Sequence, residues 1–134
     1  MKKIIVLMVM VMLLTACGNE PKAEIQKIDC ITKNSLVSEG AVLIDVRSAM
    51  EFEQGHLKNA INIDVEAIKN HIEKEVPDKN TKIILYCRSG NRSNTAANYL
   101  IDMGYKNVYD LGAMDSCSKY DIFFKKVSFN LRYK

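Results

Sequence analysis

The sequence of 134 residues lacks a long apolar run, an internal repeat and a pattern of metal ligands. Its longest uninterrupted apolar segment, residues 4–14, is shorter than the ~18 residues that a membrane-spanning helix requires. The two histidines and four cysteines are not spaced as zinc ligands, so we expect no metal and no cofactor. The absence of repeats and of low-complexity stretches indicates one domain with one core.

The chain also lacks a strong excess of charge of either sign. Lys2 and Lys3 belong to the N-terminal segment discussed next, and without them the 19 basic residues fall to 17, against 16 acidic residues. Proteins that bind nucleic acid need a concentrated positive charge to neutralise phosphates. The composition therefore gives no support for a nucleic-acid partner, and we expect none.

The N-terminal segment has the pattern of a signal peptide. Lys2 and Lys3 precede the apolar residues 4–14, and the small residues Thr15-Ala16-Cys17-Gly18 follow. A positive region, a short apolar region and small residues at the end are typical of a cleaved secretory signal. We therefore expect residues 1–16 to be a signal peptide.

The segment Leu14-Thr15-Ala16-Cys17 also resembles a bacterial lipobox, in which the cysteine is acylated. On this interpretation Cys17 carries a lipid, and residues 17–27 form a polar tether between membrane and domain. The expected location is the cell envelope, outside the cytoplasm, with the lipid as membrane anchor. Ordinary secretion with an unmodified Cys17 is the alternative.

Residues 28–134 alternate short apolar runs with segments of helical periodicity, a pattern that predicts an α/β domain with an open, mainly parallel sheet flanked by helices. Strands are expected at 25–29, 41–46, 82–86 and 107–111. Helices are expected at 32–39, directly after Ser48, at 65–76 and at 93–103. Ser48 followed by Glu51 predicts a capping box for the second of these helices.

Cys87 ends an apolar strand and opens a loop that leads into a helix. The loop reads Arg88-Ser89-Gly90-Asn91-Arg92-Ser93. A strand that turns tightly into a helix directs several backbone N–H groups and the positive end of the helix dipole at one place. A cysteine there is favoured as thiolate, the more so with two arginines nearby, and the same place binds a small oxyanion. We identify Cys87 as the candidate nucleophile and residues 88–92 as an anion cradle, which limits the chemistry to sulfur transfer or phosphoester hydrolysis.

Asp45 and Arg47 lie at the end of the neighbouring predicted strand. In open α/β sheets the ligand lies off the carboxyl ends of the strands, so both residues should lie near Cys87. A carboxylate beside an anion cradle repels the anion unless it is paired. We therefore expect Asp45 and Arg47, with Ser93, to support the loop.

Three segments of the chain form a set of motifs. The first runs from Leu43-Ile44-Asp45-Val46-Arg47 to Glu51-Phe52-Glu53-Gln54-Gly55-His56-Leu57-Lys58-Asn59-Ala60-Ile61-Asn62-Ile63, the second is Tyr86 to Ser93, and the third is Asn107 to Gly112. Together they resemble a single-domain rhodanese of the thiosulfate sulfurtransferase kind. The match covers residues 41–116. The tail, residues 117–134, departs from the family pattern: Cys117 stands near the position of a family tryptophan, and the chain contains no tryptophan.

The resemblance implies a reaction in two steps through a persulfide on Cys87. The donor is thiosulfate or another source of sulfane sulfur, and the acceptor is a thiol or cyanide. Arg88 and Arg92 would neutralise the donor, with Arg92 turned back to brace the loop, while His56 would have a structural role. An envelope persulfide carrier or redox partner and a non-catalytic binding module are the alternatives, and the sequence names no protein partner.

The length of the loop separates sulfur transfer from phosphate chemistry. Low-molecular-weight and tyrosine phosphatases place five residues between cysteine and arginine, whereas four separate Cys87 from Arg92. A smaller cradle fits a sulfane sulfur better than a phosphate, which argues against phosphatase or arsenate-reductase activity. Cys30 and Cys117 could form a disulfide outside the cytoplasm or remain two separate thiols.

Overall fold

The computed structural model describes residues 21–117 and 122–123. Its strands are β1 (Gln26–Lys27), β2 (Val42–Asp45), β3 (His56–Leu57), β4 (Ile61–Asn62), β5 (Lys82–Cys87), β6 (Asn107–Ala113) and β7 (Ile122–Phe123). Its helices are α1 (Cys30–Ser38), α2 (Ala49–Gln54), α3 (Ile68–Glu75) and α4 (Asn91–Asp102), and a 3₁₀ helix covers Met114–Cys117. The predicted signal peptide, Cys17 and most of the tail lie outside the described residues.

Five strands form one parallel sheet in the order β1-β6-β5-β2-β4. The α/β class with a mainly parallel sheet flanked by helices is therefore confirmed. Strands β3 and β7 form a separate antiparallel pair, which the sequence pattern did not predict. Strand β1 lies within the segment expected to be a tether, because Gln26 and Lys27 pair with β6.

Strand β5 separates two apolar clusters, because successive side chains of a strand point to opposite faces of the sheet. Ile83, Leu85 and Cys87 belong to the cluster that includes Leu100 of α4. Ile84 and Tyr86 belong to the other cluster. Both faces are covered, as expected for a central parallel strand whose apolar run is continuous.

Helix α2 begins with the predicted capping box. Ser48 Oγ accepts a hydrogen bond from the Glu51 N–H at 3.3 Å, and the Glu51 carboxylate accepts one from the Ser48 N–H at 3.2 Å. Helix α3 begins at Ile68, three residues later than expected. The predicted apolar face is nevertheless buried, with Val65, Ile68, Ile72 and Val76 all at most 8% exposed.

Strand β6 extends two residues beyond its expected end: a bulge adds one residue, and pairing with Cys87 adds the other. Leu85 pairs with Asp110 and Tyr86 with Gly112, which leaves Leu111 without a partner in the register. The Asp110 carboxylate accepts a hydrogen bond from the Gly112 N–H at 2.9 Å and holds this irregular turn. The bulge lies at the same edge of the sheet as Cys87, where bulges often adjust the geometry of a site.

Cys30 and Cys117 form a disulfide with a Cα–Cα distance of 5.1 Å. The bond joins the start of α1 to the end of the 3₁₀ helix. Of the two alternatives left open by the sequence, a disulfide or two separate thiols, the structure has the disulfide. Cys87 is the one free cysteine in the described part of the chain. None of the helices described is long and apolar enough to cross a membrane.

Candidate active site

Cys87 lies at the carboxyl end of β5, directly before the loop that leads into α4. Its side chain is fully buried. The Gly90 N–H donates a hydrogen bond to Cys87 Sγ at 3.0 Å, and Ser93 Oγ lies 3.8 Å from Sγ. Ser93 Oγ in turn donates to the Gly90 carbonyl at 3.0 Å, which fixes the hydroxyl beside the sulfur. The loop therefore places the Gly90 N–H as a donor at the sulfur, which favours the thiolate, while Ser93 Oγ accepts from the Cys87 thiol.

Two opposing effects act on the pKa of Cys87. Burial raises it, because the thiolate loses solvation. Hydrogen bonds from the backbone of Ser93, Gly90 and Ser89, together with the Ser93 hydroxyl, lower it. Together the hydrogen bonds lower the pKa by more than burial raises it, so the pKa of Cys87 lies below its ordinary value. The thiolate form is thus favoured mainly by the backbone of the loop.

Gly90 is required by its backbone conformation. Its φ of 96° lies in the left-handed region, which L side chains rarely adopt. Space is less restrictive, because a Cβ at Gly90 would lie 3.6 Å from Gly112 Cα, an ordinary contact distance. Gly90 takes this conformation at the residue directly before α4, and its N–H is the group that donates to Cys87 Sγ.

Arg92 forms a two-point ion pair with Glu51 of α2. Its Nη1 lies 2.7 Å from Oε2 and its Nη2 lies 3.0 Å from Oε1. The ion pair links α4 to α2, and the predicted role of Arg92 as a brace for the loop stays a prediction. It also engages the Arg92 charge, so the charge is less available to a donor anion than the sequence suggested. Glu51 was recognised from sequence only as a capping residue.

Arg88 is the cation of the loop that remains open to solvent. It has no hydrogen bond or ion pair to any residue that the structure describes, and it lines a cavity of about 280 Å³. The other lining residues are Arg47, Glu51, Gln54, Gly55, Met114 and Asp115. Ser89, Gly90 and Asn91 line a different cavity of about 700 Å³. In the predicted anion cradle, the Gly90 N–H therefore contacts Sγ. The residues of the cradle are divided between the two cavities, with Arg88 in the smaller one and residues 89–91 in the larger one.

Asp45 and Arg47 form a buried ion pair, with Arg47 Nη2 2.6 Å from Asp45 Oδ2. Asp45 is in register with Tyr86, whose side chain belongs to the cluster on the face opposite Cys87. Arg47 Nη2 also donates to the Gly55 carbonyl at 2.7 Å. The pair therefore holds the segment that carries Glu51, and neither residue has a described hydrogen bond to Cys87. Their support of the loop stays a prediction, since the described hydrogen bonds of the Arg47 side chain go to Asp45 and Gly55.

The described hydrogen bonds of the two histidines go to backbone carbonyls and not to Cys87. His56 Nδ1 lies 2.9 Å from the Phe52 carbonyl, and the two rings stack with centroids 3.7 Å apart. His71 is exposed on α3 and contacts the Ala67 carbonyl through Nδ1 at 3.0 Å. Within residues 21–117 and 122–123 no group of three His, Cys, Asp or Glu side chains could hold a metal ion.

Residues 32–116 match the family described as "Rhodanese-like domain". The chain belongs to the rhodanese family. The match starts earlier than residue 41, where the sequence resemblance began, and ends one residue before Cys117.

Two curated relatives are named thiosulfate sulfurtransferases. PspE of Escherichia coli strain K12 is 39% identical over 71 residues, which cover 53% of this chain and 68% of PspE. GlpE of Pseudomonas savastanoi pv. phaseolicola is 34% identical over 88 residues, covering 66% of this chain and 81% of GlpE. The rhodanese described here is thus related to sulfurtransferases.

Solved structures show the same fold. A structure titled "rhodanese with anions from E. coli" is 32% identical, has a TM-score of 0.60, and covers 64% of this chain and 100% of that one. A rhodanese-related protein from Thermoplasma volcanium, at 22% identity, has a TM-score of 0.63. The expected rhodanese fold is therefore confirmed.

Proposed function

We propose that this rhodanese transfers sulfane sulfur from thiosulfate, or a similar donor, to a thiol or cyanide through a persulfide on Cys87. The observation that carries the proposal is the hydrogen bond from the Gly90 N–H to Cys87 Sγ at 3.0 Å, within a loop that lowers the pKa of the thiol. A buried thiolate with preorganised donors is a ready nucleophile.

The first step forms a bond between Cys87 Sγ and the outer sulfur of thiosulfate. The sulfur–sulfur bond of thiosulfate breaks, and its electron pair leaves with sulfite. In the second step the acceptor thiolate or cyanide attacks the terminal sulfur of the persulfide, and the electron pair of the broken bond returns to Cys87. Backbone N–H groups at the start of α4 stabilise the negative charge of the persulfide between the steps.

Arg88 is the side chain best placed to attract a dianionic donor. It is exposed and without an ion-pair partner among the described residues, whereas Arg92 is held by Glu51 and Arg47 by Asp45. An exposed cation directly after the nucleophile in the chain raises the local concentration of anions. Donor binding is therefore assigned to Arg88, and loop bracing to Arg92.

The proposed location is the cell envelope, outside the cytoplasm, with the domain anchored to a membrane through a lipid on Cys17. The N-terminal pattern of the sequence supports this proposal. The Cys30–Cys117 disulfide supports it independently, because disulfides persist in oxidising compartments outside the cytoplasm.

The test is intact mass of the protein, with the Cys30–Cys117 disulfide intact and Cys87 as a free thiol, before and after thiosulfate, beside the variant Cys87→Ser. A gain of about 32 Da on the wild type alone is expected, because covalent catalysis leaves one sulfur on the nucleophile. Turnover with cyanide and small thiols then separates an enzyme from a persulfide carrier or redox partner. Absence of the gain in a folded wild-type protein would contradict the proposal and favour a binding module.

A further inference from the structure

Glu51 connects two parts of the molecule that are distant in sequence. Its carboxylate accepts two hydrogen bonds from Arg92 of α4, at 2.7 and 3.0 Å. It also accepts from the N–H and the hydroxyl of Ser48, both at 3.2 Å. A planar guanidinium bound at two points restricts both side chains more than a single contact does. Glu51 therefore couples the start of α2 to the start of α4.

Arg92 is the second residue of α4, between the groups that contact the sulfur. Gly90, two residues before Arg92, donates its N–H to Sγ. Ser93, the residue directly after Arg92, lowers the pKa of Cys87 through its backbone and its hydroxyl. A constraint on Arg92 is consequently a constraint on the peptide groups that surround the thiolate. Glu51 applies this constraint without contacting the sulfur itself.

Glu51 and Arg92 both stay charged over the whole physiological pH range. Arg92 first, then the Ser48 backbone, hold the pKa of Glu51 at about 2 against the opposing effect of burial. Arg47 acts electrostatically on Glu51, and Asp45 acts on Arg92. Arg88 and Asp115 complete the charged groups around the cavity that Glu51 lines.

We propose that Glu51 is a positioning residue for the nucleophile: by holding Arg92 it fixes the first turn of α4, so that the N–H groups of the loop face Cys87 Sγ. The inference rests on the proposed role of Cys87 and adds a residue to it. Arg92 then braces the loop, which leaves donor recognition to Arg88.

Removal of the Glu51 charge has two possible effects on Cys87, and they differ in sign. If the loop stays in place, the unbalanced charge of Arg92 favours the thiolate and lowers the pKa of Cys87. If the first turn of α4 is released, the hydrogen bonds to Sγ are lost and the pKa rises. The second effect should dominate, because the hydrogen bonds from Ser93, Gly90 and Ser89 are the main favourable causes of the lowered pKa.

The experiment measures the pH dependence of alkylation of the Cys87 peptide by mass spectrometry in the full chain. Glu51→Gln is compared with Glu53→Gln, an exposed carboxylate of the same helix. We expect the pKa of Cys87 to rise by roughly one unit in Glu51→Gln, which is a tenfold loss of thiolate below the pKa. Glu53→Gln should match the wild type, and persulfide formation from thiosulfate should slow in parallel in Glu51→Gln alone.

A second variant, Arg92→Lys, keeps the charge and removes the two-point geometry. It should raise the pKa of Cys87 to a similar extent, and the double variant should add little, because both changes break one interaction. An unchanged or lowered pKa in a folded Glu51→Gln or Arg92→Lys protein would overturn the inference. Failure of the wild type to form a persulfide would instead overturn the proposed function, since alkylation does not depend on a sulfur donor.

Discussion

Reduction of the Cys30–Cys117 disulfide should destabilise the domain by several kcal/mol. The two cysteines are separated by 87 positions in the sequence, so the bond closes a long loop in the unfolded chain. The chain-entropy relation for a loop of this length corresponds to about 4.6 kcal/mol at 25 °C. Observed effects commonly fall below that limit, and we expect ~2–4 kcal/mol.

The disulfide also bears on the site, because Cys117 ends the 3₁₀ helix whose Met114 and Asp115 line the cavity beside Arg88. Loss of the bond should therefore weaken donor binding as well as stability. The expected functional signature is a raised KM for thiosulfate with kcat less affected.

The assay is denaturant unfolding of the wild type with and without a reductant, which leaves both sulfur atoms in place. The double variant Cys30→Ser/Cys117→Ser is the matched control and should show no dependence on reductant. A difference below ~0.5 kcal/mol between oxidised and reduced wild type would refute the reasoning, because the relation assigns most of the effect to the unfolded chain.

Four further outcomes are expected. Arg88→Ala should raise the KM for thiosulfate roughly fivefold, the equivalent of ~1 kcal/mol for a solvent-exposed ion pair, and Arg88→Lys should restore most of it in steady-state kinetics. Gly90→Ala should lower the thermal midpoint by a few degrees, because about 1–2 kcal/mol of left-handed strain exceeds the ~0.4–1 kcal/mol gained from a stiffer unfolded chain; an unchanged midpoint would contradict this. Since the folded pKa of Glu51 is about 2 and its ordinary value is 4.5, its stabilising effect is complete above pH 4.5 and lost as pH falls toward 2; acid titration of Glu51→Gln should show a weaker loss over that range. Cys17→Ser should shift the protein from the membrane fraction to the soluble fraction, because the lipid is lost. An unchanged distribution between the fractions would refute anchoring through Cys17.

Local physics explains why the centre of the site could be identified in advance. A strand, a tight loop and a helix N-terminus follow one another within residues 82–102, so the placement of Cys87 depends on neighbours in sequence. The capping box of Ser48 and Glu51 is local for the same reason, since its two partners are three residues apart. Helical periodicity likewise predicted the buried face of α3. Residues 65–67, which were expected to be its first turn, form turns before the helix begins at Ile68.

The direction of Asp45 could not be read from its position at the end of a strand. A one-residue step along a strand turns a side chain to the other face, and the register with β5 places Asp45 beside Tyr86. The carboxylate is therefore at the expected edge of the sheet and on the face away from the sulfur. Its partner Arg47 is buried with it, which leaves Arg88 as the exposed cation of the site.

The sequence by itself determined the family and the place of the candidate nucleophile Cys87 before a loop of backbone donors, because these depend on short segments whose geometry is set by adjacent residues. Only the tertiary structure decided that Arg92 binds Glu51, 41 positions away, and that Cys30 bonds to Cys117. Both choices depend on how separate helices are brought together by the sheet. No periodicity encodes such contacts, because the distances that select one partner over another exist only after the chain has folded.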